Sequence, residues 1–200
     1  DKGRIGIIGH SEGGLIASMI AADDPNIKTI VLLGTLGHSL SNTLLYQYQC
    51  IMSRLLPKDQ LTAAVAKRRR TLDTLQQIGQ WDAPEVEEQV RQTITPAQRK
   101  WFQEYFTIDP RNVIRSVHAS VAIFHGGRDI QVDPDDAILL GITLDESGHH
   151  DHLVRIFPNL DHLFMRSEGF GLSEYADPDR SLDPELLEAV IAWILIKLNG

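Results

Sequence analysis

The feature that most restricts the fold lies near the start of the chain, where the apolar run Ile5-Gly6-Ile7-Ile8 leads straight into Gly9-His10-Ser11-Glu12-Gly13. The run is strand-like and the stretch that follows is helix-like, so the pentapeptide is a Gly-x-Ser-x-Gly turn from strand to helix. A serine at such an elbow takes a strained backbone conformation, and flanking glycines let neighbouring backbone approach. Gly14 extends the pattern and permits close packing of the new helix. A glycine turn with a chance serine is the bland alternative, and the strand before it and helix after it weigh against that.

Along the rest of the chain short apolar runs alternate with longer amphipathic stretches, the pattern of a mainly parallel sheet flanked by helices, an α/β architecture. Strands are expected at Arg4–Gly9, Thr29–Gly34, Ser120–His125 and His152–Phe157. Their β-branched and leucine content, without polar alternation, suits strands buried on both faces. Helices are expected at about Glu12–Ala22, Asp135–Asp145 and Pro184–Leu198. The last has Asp183 as N-cap and Pro184 at its first position. Its broad face of Leu186, Leu187, Val190, Ile191, Ile194, Leu195 and Leu198 should cover the sheet.

Between Gly34 and Ser120 the period becomes helical, with Pro57, Pro84, Pro96 and Pro110 at the boundaries. Thr95-Pro96-Ala97-Gln98 is a capping box that starts a helix carrying Trp101, Phe102, Tyr105 and Phe106. The expected organisation is therefore a core of residues 1–35, a helical insertion of residues 36–117 and a return to the core at residues 118–200. Lys67-Arg68-Arg69-Arg70 reads as a solvated helical face rather than an anion site, with Leu61, Val65, Leu72, Leu75 and Ile78 on the packed side.

Composition removes several function classes. The charge balance of 19 − 27 = −8 opposes binding to phosphate backbones and anionic lipid, so nucleic acid is not an expected partner. A lone Cys50 makes no internal disulfide, and the scattered histidines show no Cys-rich ligand spacing, so no structural metal and no cofactor are expected. The longest run of large apolar residues, Ala189 to Ile196, is far short of the ~18 residues of a membrane span. The chain opens at Asp1 without Met and reaches a strand almost at once, which suggests a piece of a longer protein and leaves compartment and any signal peptide open.

A serine hydroxyl needs an imidazole to take its proton and a carboxylate to hold that imidazole in the right tautomer. At a strand-to-helix elbow the order along the chain is serine, acid, histidine. Asp129, in Gly126-Gly127-Arg128-Asp129, falls just past the end of the strand that finishes at His125, where open α/β sheets place their sites. Asp133, Asp135 and Asp136 are rivals, although Asp133-Pro134 reads better as the start of the next helix. His162, in Leu160-Asp161-His162-Leu163-Phe164 after the last strand, is the candidate base. His10, His118 and His125 read as structural. His149, His150 and His152 lack the helical spacing of a metal pair and read as a turn.

Taken together, these segments resemble the α/β-hydrolase superfamily, and within it the EstD-like bacterial carboxylesterases. Beyond the elbow, the resemblance rests on Trp101-Phe102 with Tyr105-Phe106, on Asp109-Pro110-Arg111 and on Gly127-Arg128-Asp129-Ile130-Gln131-Val132. Leu160-Asp161-His162-Leu163-Phe164 and Ser173-Glu174-Tyr175 complete it, so that it runs from Arg4 to Leu198. It implies Ser11 as nucleophile, Asp129 as acid, His162 as base and the Glu12 backbone N–H as one oxyanion donor. It also implies a helical cap after the second visible strand and hydrolysis of short acyl esters, with a small-molecule ester as the partner. Trp101, Phe102 and Tyr105 are then either pocket lining or the core of the cap. Lys100 and Met165-Arg166 depart from the family's usual residues, which bears on substrate preference. The family has further strands before the nucleophile strand, with a second oxyanion donor in one of their loops. Without them the Ile5–Ile8 strand would be an unpaired apolar edge, and these residues alone are expected to be poorly soluble and nearly inactive. A peptidase or acyltransferase on the same three residues is the alternative chemistry, because fold and triad do not set the leaving group. A non-catalytic module would be expected to have lost a triad member.

Overall fold

In the computed structural model, which describes residues 4–169 and 171–199, the element order is β1 (Ile5–His10), α1 (Glu12–Asp23), β2 (Ile27–Leu33), α2 (Leu40–Met52), α3 (Lys58–Ile78), α4 (Glu88–Thr93), α5 (Pro96–Tyr105), α6 (Pro110–Ile114), β3 (Ser120–Gly126), α7 (Asp135–Glu146), β4 (His152–Phe157), a 3₁₀ segment (Gly171–Ala176) and α8 (Pro184–Asn199). All four strands expected from the sequence form, within a residue or two at their ends. They make one parallel sheet in the order β1-β2-β3-β4. The register sets His10 beside Leu33, Leu33 beside Phe124, and Gly126 beside Phe157. The chain therefore leaves the C-terminal ends of neighbouring strands at one edge, and every candidate site residue follows such an end.

The absence of polar alternation in β2 and β3 has a direct structural cause. Ile30, Leu32, Val121 and Ile123 face one layer, made by Ala17 and Ala21 of α1, Ile114 of α6, and Ala137, Leu140 and Leu144 of α7. The alternate residues Val31, Ala122 and Phe124 face Leu186 and Val190 of α8, with Phe157, Leu160 and Phe164. With both faces covered, period-2 patterning has nothing to distinguish. As expected, Asp183 caps α8, its carboxylate accepting the Glu185 N–H at 2.9 Å.

One expectation needs correction. Only part of the broad apolar face of α8 covers the sheet: Leu186 and Val190 are buried, whereas Leu187, Ile191 and Leu195 are exposed. Ile16, Met19 and Ile20 of α1 and Ile8 of β1 are exposed too, Ile8 at 53%. Among the described residues β1 has one strand neighbour. Exposed apolar residues of this kind on both helices, with an open strand edge, favour association. The 200-residue chain by itself should self-associate, and Ile191→Gln with Leu195→Gln should weaken this. Sedimentation velocity over a wide range of concentrations checks it, and equal association by both proteins would count against these helix residues.

The chain divides into two compact units, one running to His38 and resuming at Asp109, the other Ser39–Ile108. In the second unit α2 and α3 pack together. The capping box is present in both directions, Thr95 accepting from the Gln98 N–H and Gln98 from the Thr95 N–H. Gly79 closes α3 at φ 65°, a left-handed conformation in which glycine is unstrained. Lys67, Arg69 and Arg70 are exposed as expected. Arg68 is not part of a solvated face: its Nε donates to Glu87 Oε2 at 2.7 Å and its guanidinium lies 4.2 Å from the centre of the Tyr48 ring. Ile78, expected on the packed side, is exposed at the end of α3. Phe102, Phe106, Leu72, Leu75 and Trp81 help to line a cavity of about 300 Å³ in this unit. Tyr105 is buried and Trp101 stacks on it while remaining exposed. Among the described residues no helix is long and apolar enough to cross a membrane.

Candidate active site

The elbow forms where β1 ends. Ser11 has φ 56° and ψ −123°, a conformation that side chains disfavour, and immediately starts α1. Its N–H donates to the Leu33 carbonyl at 2.7 Å and its own carbonyl accepts from Gly14. The turn is so tight that a Cβ on Gly9 would sit 2.2 Å from the Gly13 carbonyl oxygen. Gly9 is therefore required by close approach, while a side chain at Gly13 would meet open space. Ser11 occupies the N-cap position, yet its hydroxyl makes no capping bond. The Glu12 N–H lies in the first turn of α1, where helices have no internal acceptor and the macrodipole favours negative charge.

Asp129 and His162 meet beneath the strand ends. His162 Nδ1 donates to Asp129 Oδ2 at 2.7 Å, with both residues buried. Asp129 Oδ1 accepts the N–H groups of Gln131 and Val132 at 2.7 and 2.9 Å. Burial acts to raise the Asp129 pKa, but hydrogen bonds from His125 and His162 and the nearby imidazoles outweigh it and hold it at about 2. The rivals are occupied elsewhere. Buried Asp136 accepts from the Gly37 N–H and His38 Nδ1, tying down the loop after β2. Asp133 accepts the Asp135 N–H at the start of α7, and Asp135 is exposed.

The His162 turn is shaped by its neighbour. Asp161 Oδ1 accepts from the Leu163 and Met165 N–H groups, and Oδ2 from Arg180. Phe164, like Ser11, is a non-glycine residue with positive φ, at 57°. Met165 and Arg166 contribute backbone bridges to Leu182 and Leu160. His10 braces this turn from the elbow: its Nε2 donates to the His162 carbonyl at 2.8 Å, with the two rings 4.7 Å apart. Desolvation holds its pKa below the ordinary imidazole value. His149 Nε2 donates to the Ala119 carbonyl and His152 Nδ1 to the His149 carbonyl, so these histidines stitch the turn before β4.

Sequence reasoning assigns no site role to two residues that lie beside the pair. His125 reads as structural from its place in a strand, yet its Nε2 lies 3.2 Å from Asp129 Oδ2. Gly34 is expected to be the last residue of β2. Instead it leaves the strand at φ 56°, and a Cβ there would stand 3.3 Å from His162 Nδ1 and 3.5 Å from Asp129 Oδ2. A glycine directly after a buried strand is the available signal. Gly34→Ala should therefore combine a left-handed strain of about 1–2 kcal/mol with pressure on the imidazole. The expected result is a fall in turnover of roughly ten- to a hundredfold with the chain still folded. Circular dichroism melting alongside ester turnover checks this, and unchanged turnover would refute the crowding argument.

A parallel sheet with helices on both faces, a strained serine elbow and an acid and histidine on later strand-end loops defines the α/β-hydrolase fold. Within it, the chain resembles esterase EstD of Thermotoga maritima, with 22% identity over 196 residues, covering 98% of this chain and 43% of that protein. The chain thus spans less than half of this relative. No family model matches it. Solved structures of the same fold include an esterase of Pyrococcus furiosus, with TM-score 0.53, 14% identity, and coverage of 99% of this chain and 55% of the other. A puromycin-hydrolyzing peptidase of Mycobacterium tuberculosis has TM-score 0.54 and 15% identity, covering 99% of this chain and 22% of the other.

Proposed function

We propose that this chain carries the nucleophile, base and acid of a serine hydrolase that cleaves carboxylic esters of short acyl groups through an acyl-enzyme. The observation that supports this most is the buried Asp129–His162 hydrogen bond at the strand-end edge that also bears Ser11. It fixes the proton on His162 Nδ1 and leaves Nε2 as the basic nitrogen. In the proposed reaction Ser11 Oγ attacks the ester carbonyl as His162 Nε2 takes its proton. The Glu12 N–H donates to the oxyanion, and His162 returns the proton to the departing alcohol oxygen. Water then repeats the attack on the acyl-serine with the same base, releasing the carboxylic acid. The helical unit Ser39–Ile108, which falls within the insertion expected from the sequence, is proposed as the substrate-selecting cap.

Fluorophosphonate labelling and the turnover of paired ester and amide substrates with one acyl group test the reading. Labelling at Ser11 with ester turnover well above amide turnover is expected. Comparable or faster amide turnover would favour a peptidase on the same residues, and labelling at another residue would overturn the assignment.

A further inference from the structure

We propose that His125 is a positioning residue for the Asp129–His162 pair, its Nε2–H holding the carboxylate oxygen that faces His162 and the loop that cradles the other oxygen. His125 is the penultimate residue of β3 and fully buried. Its Nε2 is 3.2 Å from the Val132 carbonyl oxygen and 3.2 Å from Asp129 Oδ2. A carbonyl can only accept, so Nε2 must carry the hydrogen. Nδ1 is buried with no partner among the described residues. A second proton there would be a buried donor without an acceptor, so the uncharged Nε2–H tautomer is the one that fits.

That single N–H lies between two acceptors that matter to the same group. Val132 is itself a donor to Asp129 Oδ1, so the arm to its carbonyl steadies the loop holding one carboxylate oxygen. The arm to Oδ2 joins the His162 Nδ1 donor on the other oxygen. The carboxylate then has two backbone N–H donors on Oδ1 and two imidazole nitrogens within 3.2 Å of Oδ2, and it cannot rotate without losing several of these at once. A neutral donor on Oδ2 also draws off part of its negative charge. Removing it leaves a more basic carboxylate, which holds the His162 imidazolium more tightly and raises the pKa of His162. Of the other titratable or charged groups nearby, His10 interacts with all three members of the cluster and Tyr175 with Asp129, while Asp161 and Arg180 act on Tyr175. These stay in place in the variants below.

The catalytic part of this inference rests on the serine hydrolase reading, so the experiment has two arms. Histidine side-chain NMR on the 200-residue chain, with any upstream segment it naturally has, follows the His162 titration. Steady-state kinetics on a short-chain ester gives kcat and KM. His125→Leu should raise the His162 pKa and lower kcat roughly ten- to a hundredfold, the range for losing a hydrogen bond to a charged group, with KM within about twofold. His125→Gln can place its amide nitrogen where the ring Nε2 was and should restore most of both. His125→Asn, whose shorter amide falls at the place of Nδ1, should not. If the leucine variant fails to fold, the comparison of Gln with Asn decides. An unshifted His162 titration in a folded His125→Leu, or Gln no better than Asn, overturns the proposal. If the unsubstituted protein turns over no ester, the hydrolase reading fails, while the NMR arm still tests the positioning of the pair.

Discussion

In the chain with any upstream segment it naturally has, Ser11→Ala is expected to lower ester turnover by roughly 10⁴- to 10⁶-fold in kcat, because nucleophile, base and acid act as a unit, and to abolish fluorophosphonate labelling. Folding should be untouched: the Ser11 hydroxyl makes no capping bond, and the backbone bonds of the elbow use the N–H and carbonyl of Ser11. Alanine keeps a Cβ and so keeps the strain at φ 56°. Ser11→Gly separates the two effects. Strain at such a position is worth about 1–3 kcal/mol, against about 0.4–1 kcal/mol for the added freedom of glycine in the unfolded chain. Ser11→Gly should therefore be as inactive as Ser11→Ala but melt a few degrees higher, on the scale of roughly 2–4 °C per kcal/mol for a chain of this size. Labelling that survives Ser11→Ala would move the nucleophile elsewhere. A glycine variant that melts lower than alanine would show that the strain at the elbow is smaller than the cost of glycine's added freedom in the unfolded chain.

The difference between what the sequence exposes and what it conceals lies in whether a feature belongs to one element or to a pair of them. The strands are legible because β2 and β3 are buried on both faces, which leaves a continuous apolar run. Ser11 is legible because its constraint is local: Gly9 and Gly13 touch across one turn. Asp129 and His162 are legible as strand-end residues in the right order, and the structure brings them into hydrogen-bond contact. His125 shows the limit. Its place in a strand implies burial, but the partner at its Nε2 depends on how the next loop folds back. Arg68 shows it again, since a run of four basic residues looks solvated until Glu87, nineteen positions on, turns one of them inward. The apolar face of α8 records everything that helix is suited to pack against, whereas burial records what the described residues supply.

Asp129→Asn should cost on the order of 10⁴ in turnover and also lower stability at neutral pH while flattening its dependence on acid. With the amide oxygen kept on the Gln131 and Val132 N–H groups, the amide nitrogen faces His162 Nδ1 and the His125 Nε2–H. It can only donate. His162 must then accept at Nδ1 and carry its proton on Nε2, so it can no longer take the proton of Ser11. The His125 N–H meets a donor in place of an acceptor, so the loss reaches the fold as well. In the parent chain the Asp129 pKa is depressed to about 2, below its ordinary value near 4. A depressed carboxylate contributes stability above its unfolded value and loses it as pH falls through the folded value. The contribution, about 2–3 kcal/mol, should be present above about pH 4 and gone near pH 2. Asp129→Asn should lack this step, so the melting curves of the two proteins should converge on acidification. Asp133→Asn, whose amide oxygen can still accept the Asp135 N–H, should retain the acid dependence and most of the turnover. Equal losses at the two positions would place the acid elsewhere, and parallel melting curves from pH 7 to pH 2 would show that the Asp129 charge adds nothing to stability.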